Sequence, residues 1–195
     1  MKHLVIHTHP NPRSFNHAIK DAFIDELKSN GHEVRLRDLY AIGLDPVLRA
    51  SDFEAIMGGL VPDDVKTEQD HIRWADIITF IHPIWWSGLP ALLKGYIDRV
   101  FSLGFAYSMD GHALKGLLHD KKVLILNTTG ADRQTYEQSG MLAGITKTID
   151  DGIYRFCAME VIGHKYLYAV CCVTQEERLT MLAEVRAIAK TVSEK

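Results

Sequence analysis

Three short stretches carry residues able to do chemistry, and each directly follows an apolar run. The first is His9-Pro-Asn-Pro-Arg-Ser-Phe-Asn16. It opens a helical pattern, so free backbone N–H groups and the positive end of the helix dipole face any guest there. Ser14 and Asn16 add hydrogen-bonding side chains, while His9 and Arg13 supply positive charge. Phosphate is the natural ligand. Ordinary helix capping by Ser14 or Asn16 would use the same residues, and this loop alone leaves the two readings even. No G-x-G-x-x-G follows the first strand and no G-x-x-x-x-G-K-[ST] occurs, which excludes two familiar phosphate loops.

The second stretch is His82-Pro-Ile-Trp-Trp-Ser-Gly-Leu-Pro90. Two tryptophans between prolines make a flat apolar wall suited to a planar aromatic ligand, with backbone N–H groups for its polar edge. The third is Asn127-Thr-Thr-Gly-Ala131, followed by Tyr136. Its small residues admit close backbone approach, and its hydroxyls offer hydrogen bonds. Most such tripeptides are plain turns, so this motif is weak alone. His7 and His9 alternate along the first strand and His82 ends another. No carboxylate or cysteine completes a coordination set around them, so no metal is expected.

Strands and helices must alternate to place these loops together. His3–Thr8 reads as a strand, Phe15–Asn30 as a helix ended by Asn30-Gly31, and His32–Leu39 as the second strand. Val65–Trp74 is helical, and Asp76–Ile81 is nearly all apolar, as a strand covered on both faces requires. Leu89, Leu92, Leu93, Tyr96, Ile97, Val100 and Phe101 recur at helical spacing over Gly88–Ser102, with Pro90 expected in the first turn. Lys122–Asn127 and Val161–Val170 complete the strands. A helix is expected between Gly140 and Cys157, and a closing amphipathic helix over Gln175–Val192. Such alternation implies a parallel sheet with right-handed crossovers. In such a sheet, ligands bind beyond the C-terminal strand ends. The segment Ile42–Asp64 is the least regular and reads as a long connection.

The chain has 195 residues, 47% of them hydrophobic, and a net charge of -3, which fits one domain over residues 1–195. That charge leaves no nucleic-acid footprint, and no apolar stretch is long enough for membrane insertion. The N-terminus reads as a strand, not a signal peptide. Three cysteines, Cys157, Cys171 and Cys172, make no disulfide framework. They read as reduced, buried apolar residues of a cytoplasmic protein. His71, His112 and His164 read as surface or structural.

Taken together, the three loops resemble the flavodoxin-like NAD(P)H:quinone oxidoreductases. The resemblance runs from Leu4 to about Leu182 and is most specific over His82–Phe101, continuing through Gly104-Phe-Ala-Tyr107. It implies a doubly wound, five-stranded parallel sheet with helices on both faces. It implies a flavoprotein that takes a hydride from NADPH or NADH and delivers two electrons to a quinone. His9, Arg13, Ser14, Phe15 and Asn16 then belong to the flavin phosphate and ribityl loop. Pro83, Ile84, Trp85 and Trp86 line the isoalloxazine ring, and Thr128, Thr129, Gly130 and Ala131 meet its other edge. Tyr136 and Tyr107 take the catalytic positions, Tyr107 from the partner subunit of a homodimer. Two positions depart from the family: Leu142 stands where a proton-relaying histidine is found, and Ala131 replaces a glycine. The short chain favours FMN, while the His9–Asn16 loop resembles that of FAD enzymes. An ancillary subunit of a potassium efflux system and a flavodoxin-type electron carrier are the rival functions. The near balance of 25 acidic and 22 basic residues argues against the carrier.

Overall fold

The computed structural model describes residues 1–192. Along the chain, β1 (Lys2–His7) leads through α1 (Phe15–Ser29) to β2 (Glu33–Asp38). Then come α2 (Ala50–Met57), α3 (Asp63–Trp74), β3 (Ile77–Pro83) and α4 (Ala91–Val100). A hairpin of β4 (Tyr107–Asp110) and β5 (Ala113–Gly116) precedes β6 (Lys122–Thr128). Two short helices, α5 (Arg133–Gln138) and α6 (Met141–Thr146), run into a π-helical segment, Lys147–Arg155. The chain closes with β7 (Glu160–Leu167) and α7 (Gln175–Thr191).

Five strands form one parallel sheet in the order β2-β1-β3-β6-β7. Every residue of the central β3 is buried, as two helical layers demand. Alternation along β1 splits the core: Leu4 and Ile6 pack with Phe80, Tyr96 and Val100 on one face. Val5 packs with Phe23, Leu27 and Val185 on the other. Each such side chain contributes roughly 1.5–3 kcal/mol by leaving water.

Local signals explain the helix limits. Ser14 caps α1 by accepting from the His17 N–H, and Gly31, at φ 77°, allows the chain to turn out. Thr174 and Glu177 form a reciprocal capping box at α7. Pro90 holds the N-cap position of α4 and does not lie within its first turn. That helix is therefore shorter than its apolar periodicity, because Trp85–Gly88 is diverted into a tight turn.

The connection from Ile42 to Asp64 contains a helix, α2, which apolar spacing does not reveal. A polar anchor holds it. Arg99 bonds Asp52 (3.2 Å), Asp64 and the Asp45 carbonyl (3.0 Å). Burial acts to lower the Arg99 pKa, but its bonds to Asp64 and Asp52 outweigh it and raise the value. The bond from Arg99 holds the Asp52 carboxyl below its usual range. Gly95 lets Pro46 lie directly on α4: a Cβ there would meet the Pro46 carbonyl oxygen at 2.2 Å.

The cysteine expectation needs correction. Cys157 is buried, and burial pushes its thiol up to about 11, but Cys171 and Cys172 are exposed. β7 ends at Leu167, so both thiols lie in the following loop and not on a strand.

Candidate functional site

Strand order reverses between β1 and β3, which makes the C-terminal edge there a topological switch point. The loops after β1, β3, β6 and β7 meet at this edge. Asn16, at the start of α1, donates to Thr128 Oγ1 at 2.8 Å. The Ile84 N–H bonds the Thr128 carbonyl (2.8 Å), and the Thr129 N–H bonds the Leu167 carbonyl (3.0 Å). Val170 N–H bonds the Thr129 carbonyl (3.0 Å), and the His9 and Trp85 rings lie 5.7 Å apart. The residues singled out from the first three loops are thus brought to one edge.

Among the described residues, two buried polar atoms at this edge lack partners. Asn16 is almost wholly buried, yet its Oδ1 has none; Thr8 Oγ1, also buried, has none. Burying such atoms unpaired costs about 1–3 kcal/mol each, so their persistence points to a ligand. Gly130 is exposed, and nothing lies within 4 Å of where a Cβ would stand. The protein itself therefore does not demand glycine there. His9 Nδ1 accepts from the Asn11 N–H at 3.1 Å, which puts the ring proton on Nε2. Burial lowers its pKa, so the ring is a neutral donor.

The tryptophan loop is a tight turn, not a packed wall. Trp85 and Gly88 exchange two backbone bonds, and Trp86 (φ 49°) and Ser87 (φ 58°) are both left-handed. Such a turn normally carries Asn-Gly. Trp86 projects fully into solvent and Trp85 is partly exposed. Ser87 of this turn lines, with Ala131, Thr135, Tyr136, Ser139 and Met141, a cavity of about 210 Å³. Burial raises the Tyr136 pKa, so its phenol stays protonated.

Tyr107 is not brought to this cavity. It lines a separate one of about 360 Å³ with Phe101, Ile153 and Phe156, and its ring lies 5.7 Å from that of Phe156.

Arg13, Ser14 and Phe15 face a groove of about 460 Å³ whose other wall is Val170, Cys171, Arg178 and Leu182. Arg178 donates to the Val170 carbonyl (3.1 Å), while its Nε is buried without a partner. Sequence reasoning missed this wall. Its only signal is a basic residue in the first turns of the helix after the last strand.

Behind the edge runs a second polar network. Asn127 donates to the His82 carbonyl (3.0 Å) and accepts from His164 Nε2 (2.7 Å). His164 Nδ1 sits 2.8 Å from Asp150, which the π-helical segment carries. Burial lowers the His82 pKa to about 4, so it is a neutral core residue. Leu142 lines a cavity with His164, Tyr166 and Tyr168.

The metal question also changes. β1 ends at His7, so the strand alternation does not extend to His9. Asp38, which is His7's register partner on β2, lies 3.1 Å from His7 Nδ1, and His17 joins them. A carboxylate does stand beside His7, contrary to the sequence expectation.

Sheet order and loop placement define a doubly wound α/β protein with its ligand edge at the β1/β3 switch point. The family described as Flavodoxin-like fold matches residues 1–191, and the chain belongs to it. A Haemophilus influenzae protein named as an NAD(P)H oxidoreductase is 34% identical over 183 residues, spanning 93% of this chain and 91% of that one. Human ribosyldihydronicotinamide dehydrogenase (quinone) is 32% identical, spanning 93% and 87%. The NAD(P)H:quinone oxidoreductase of Methanothermobacter marburgensis superposes with a TM-score of 0.90 at 25% identity, covering 98% of both chains. Among the described residues, no helix is long and apolar enough to cross a membrane.

Proposed function

We propose that the chain is a flavin-dependent NAD(P)H dehydrogenase (quinone) that moves a hydride from NADPH or NADH to flavin and two electrons on to a quinone. The observation that carries it is the buried, unpartnered Asn16 Oδ1 at the switch point, in a protein whose relatives bear reductase names. Those names favour an enzyme over an ancillary transporter subunit or an electron carrier.

His9, Arg13, Ser14, Phe15 and Asn16 bind the flavin phosphate and ribityl chain; the N-terminus of α1 attracts the anion, and Asn16 Oδ1 accepts a hydroxyl. Pro83 and Ile84 back the isoalloxazine site, while Trp85 and Trp86 supply the exposed aromatic side on which rings stack. Thr128, Thr129, Gly130 and Ala131 meet the opposite edge, where Gly130 leaves the space clear. The flavin, when bound, supplies the hydride and two-electron chemistry. The protein holds donor and acceptor in turn over one slot. Tyr136, whose pKa burial raises, is the proton donor in place of the family's histidine, at whose position Leu142 stands.

FMN is the cofactor we favour, on the shortness of the connection ahead of β3. FAD is the second reading, favoured by the groove from Arg13 to Leu182, which continues the phosphate loop and ends at the unpartnered Arg178 Nε. Tyr107 serves the site of a partner subunit in a homodimer, a role supported by its lining a different cavity from Tyr136. Reduced, exposed thiols suit a cytoplasmic enzyme. The test is steady-state NADPH and NADH oxidation by the flavin-loaded protein with menadione as acceptor. Turnover that requires both flavin and quinone supports the proposal. Bound flavin without turnover contradicts it.

A further inference from the structure

We infer that His7, His17 and Asp38 form a binding site for one divalent transition-metal ion of the Zn²⁺ or Co²⁺ type. The three residues come from the end of β1, the first turns of α1 and the end of β2. One ligand atom from each lies within 4.8 Å of the other two. His7 Nδ1 and His17 Nε2 stand 3.1 and 3.4 Å from Asp38 Oδ2. Ligands held about 2.0–2.1 Å from a tetrahedral ion are separated by about 3.3 Å, so both edges already have the required length. The two imidazoles meet edge to face, with ring centroids 4.2 Å apart, and so converge on the carboxylate instead of stacking.

Two further features distinguish the cluster from a plain His–Asp hydrogen bond. A single carboxylate oxygen is shared by two imidazoles, more donors than ring orientation alone requires. His17 is also braced from behind: its Nδ1 lies 3.4 Å from Ser14 Oγ, the outer-shell contact that orients metal-bound histidines. His7 is buried, whereas the His17 and Asp38 side chains are each 15% exposed, which leaves an entry path. Lys20, whose charge acts on His7, is itself paired with Asp21 at 2.9 Å. Two neutral imidazoles and one carboxylate leave a net positive centre, with one coordination position for water or an anion.

The ion would join both ends of the loop Thr8–Asn16 to β2, pinning that loop whether or not a flavin occupies it. The site therefore stands or falls independently of the proposed activity.

The test is a Co²⁺ titration of the metal-stripped, full-length protein, followed by visible absorption and by thermal unfolding. One Co²⁺ per chain is expected, with the intense d–d bands of a four-coordinate ion and a raised Tm. Thiolate charge-transfer bands should be absent, because Cys171 and Cys172 take no part. His17→Gln and Asp38→Asn, each checked by circular dichroism for folding, should weaken Co²⁺ binding by about 100-fold or more. Loss of an outer-shell partner alone costs only about 10–100-fold. No d–d band, thiolate bands alone, or binding unchanged in both folded variants would overturn the proposal.

Discussion

Replacing Asn16 with alanine separates a ligand-binding role from a structural one. In the flavin-free protein the side chain makes one hydrogen bond, 2.8 Å to Thr128 Oγ1, and leaves Oδ1 buried and unpaired. Removing the bond costs about 1 kcal/mol, while removing the unpaired oxygen relieves about 1–3 kcal/mol. The two changes oppose each other, so Asn16→Ala should leave flavin-free stability between unchanged and about 2 kcal/mol higher. For a chain of this size each 1 kcal/mol is a Tm shift of about 2–4 °C. In the flavin complex no relief is available, because Oδ1 is then satisfied. The Thr128 contact is lost in both states and cancels, so losing the Oδ1 bond (about 1 kcal/mol) together with the relief in the flavin-free protein (about 1–3 kcal/mol) should weaken flavin binding by about 2–4 kcal/mol, roughly 30- to 700-fold. Urea unfolding of the flavin-free protein gives the first quantity, and quenching of flavin fluorescence on titration gives the second. A stability loss of about 3 kcal/mol with unchanged flavin affinity would refute the reasoning and make Asn16 a bridge between α1 and β6.

Three other perturbations test the scaffold around the site. His82 is neutral because burial lowers its pKa from 6.5 to about 4. Below pH 6.5 the unfolded chain therefore binds the proton first, and up to about 3 kcal/mol of stability is lost as pH falls to 4. Denaturation across that window should show a shallower loss in His82→Asn, and an unchanged slope would sink the assignment. Gly95→Ala should cost about 1–3 kcal/mol and expose residues 42–64 to protease, since its Cβ would collide with Pro46; native stability would show that the segment moves freely. Ser87→Gly should stabilise the protein by about 1 kcal/mol in urea, because Ser87 is held at φ 58°. No gain would mean that the turn is unstrained.

The parallel sheet was legible because β1, β3 and β6 are short apolar runs that must be buried on both faces. The ligand edge followed from topology, since loops after strands of such a sheet meet at the switch point. Helix α2 was hidden because Asp52 and Arg99 hold it, not an apolar stripe. Phe53 and Met57 on that helix even face solvent. The exposure of Cys171 and Cys172 was missed because Ala169, at φ 52°, breaks the strand pattern without any glycine or proline to mark it. The approach of Asp38 to His7 depends on strand register, and that of Arg178 to Arg13 on the packing of α7 beside α1. Neither leaves a trace in local spacing.

The central claim is flavin chemistry at the β1/β3 edge, and an anaerobic spectrum tests it most directly. Purified protein is reconstituted with FMN or FAD, reduced with NADPH, and then mixed with menadione. Bound flavin should bleach on NADPH addition and regain its colour as the quinone is consumed, with the better-retained flavin identifying the cofactor. Failure to bind either flavin, or bound flavin that neither NADPH nor NADH bleaches, would contradict the account.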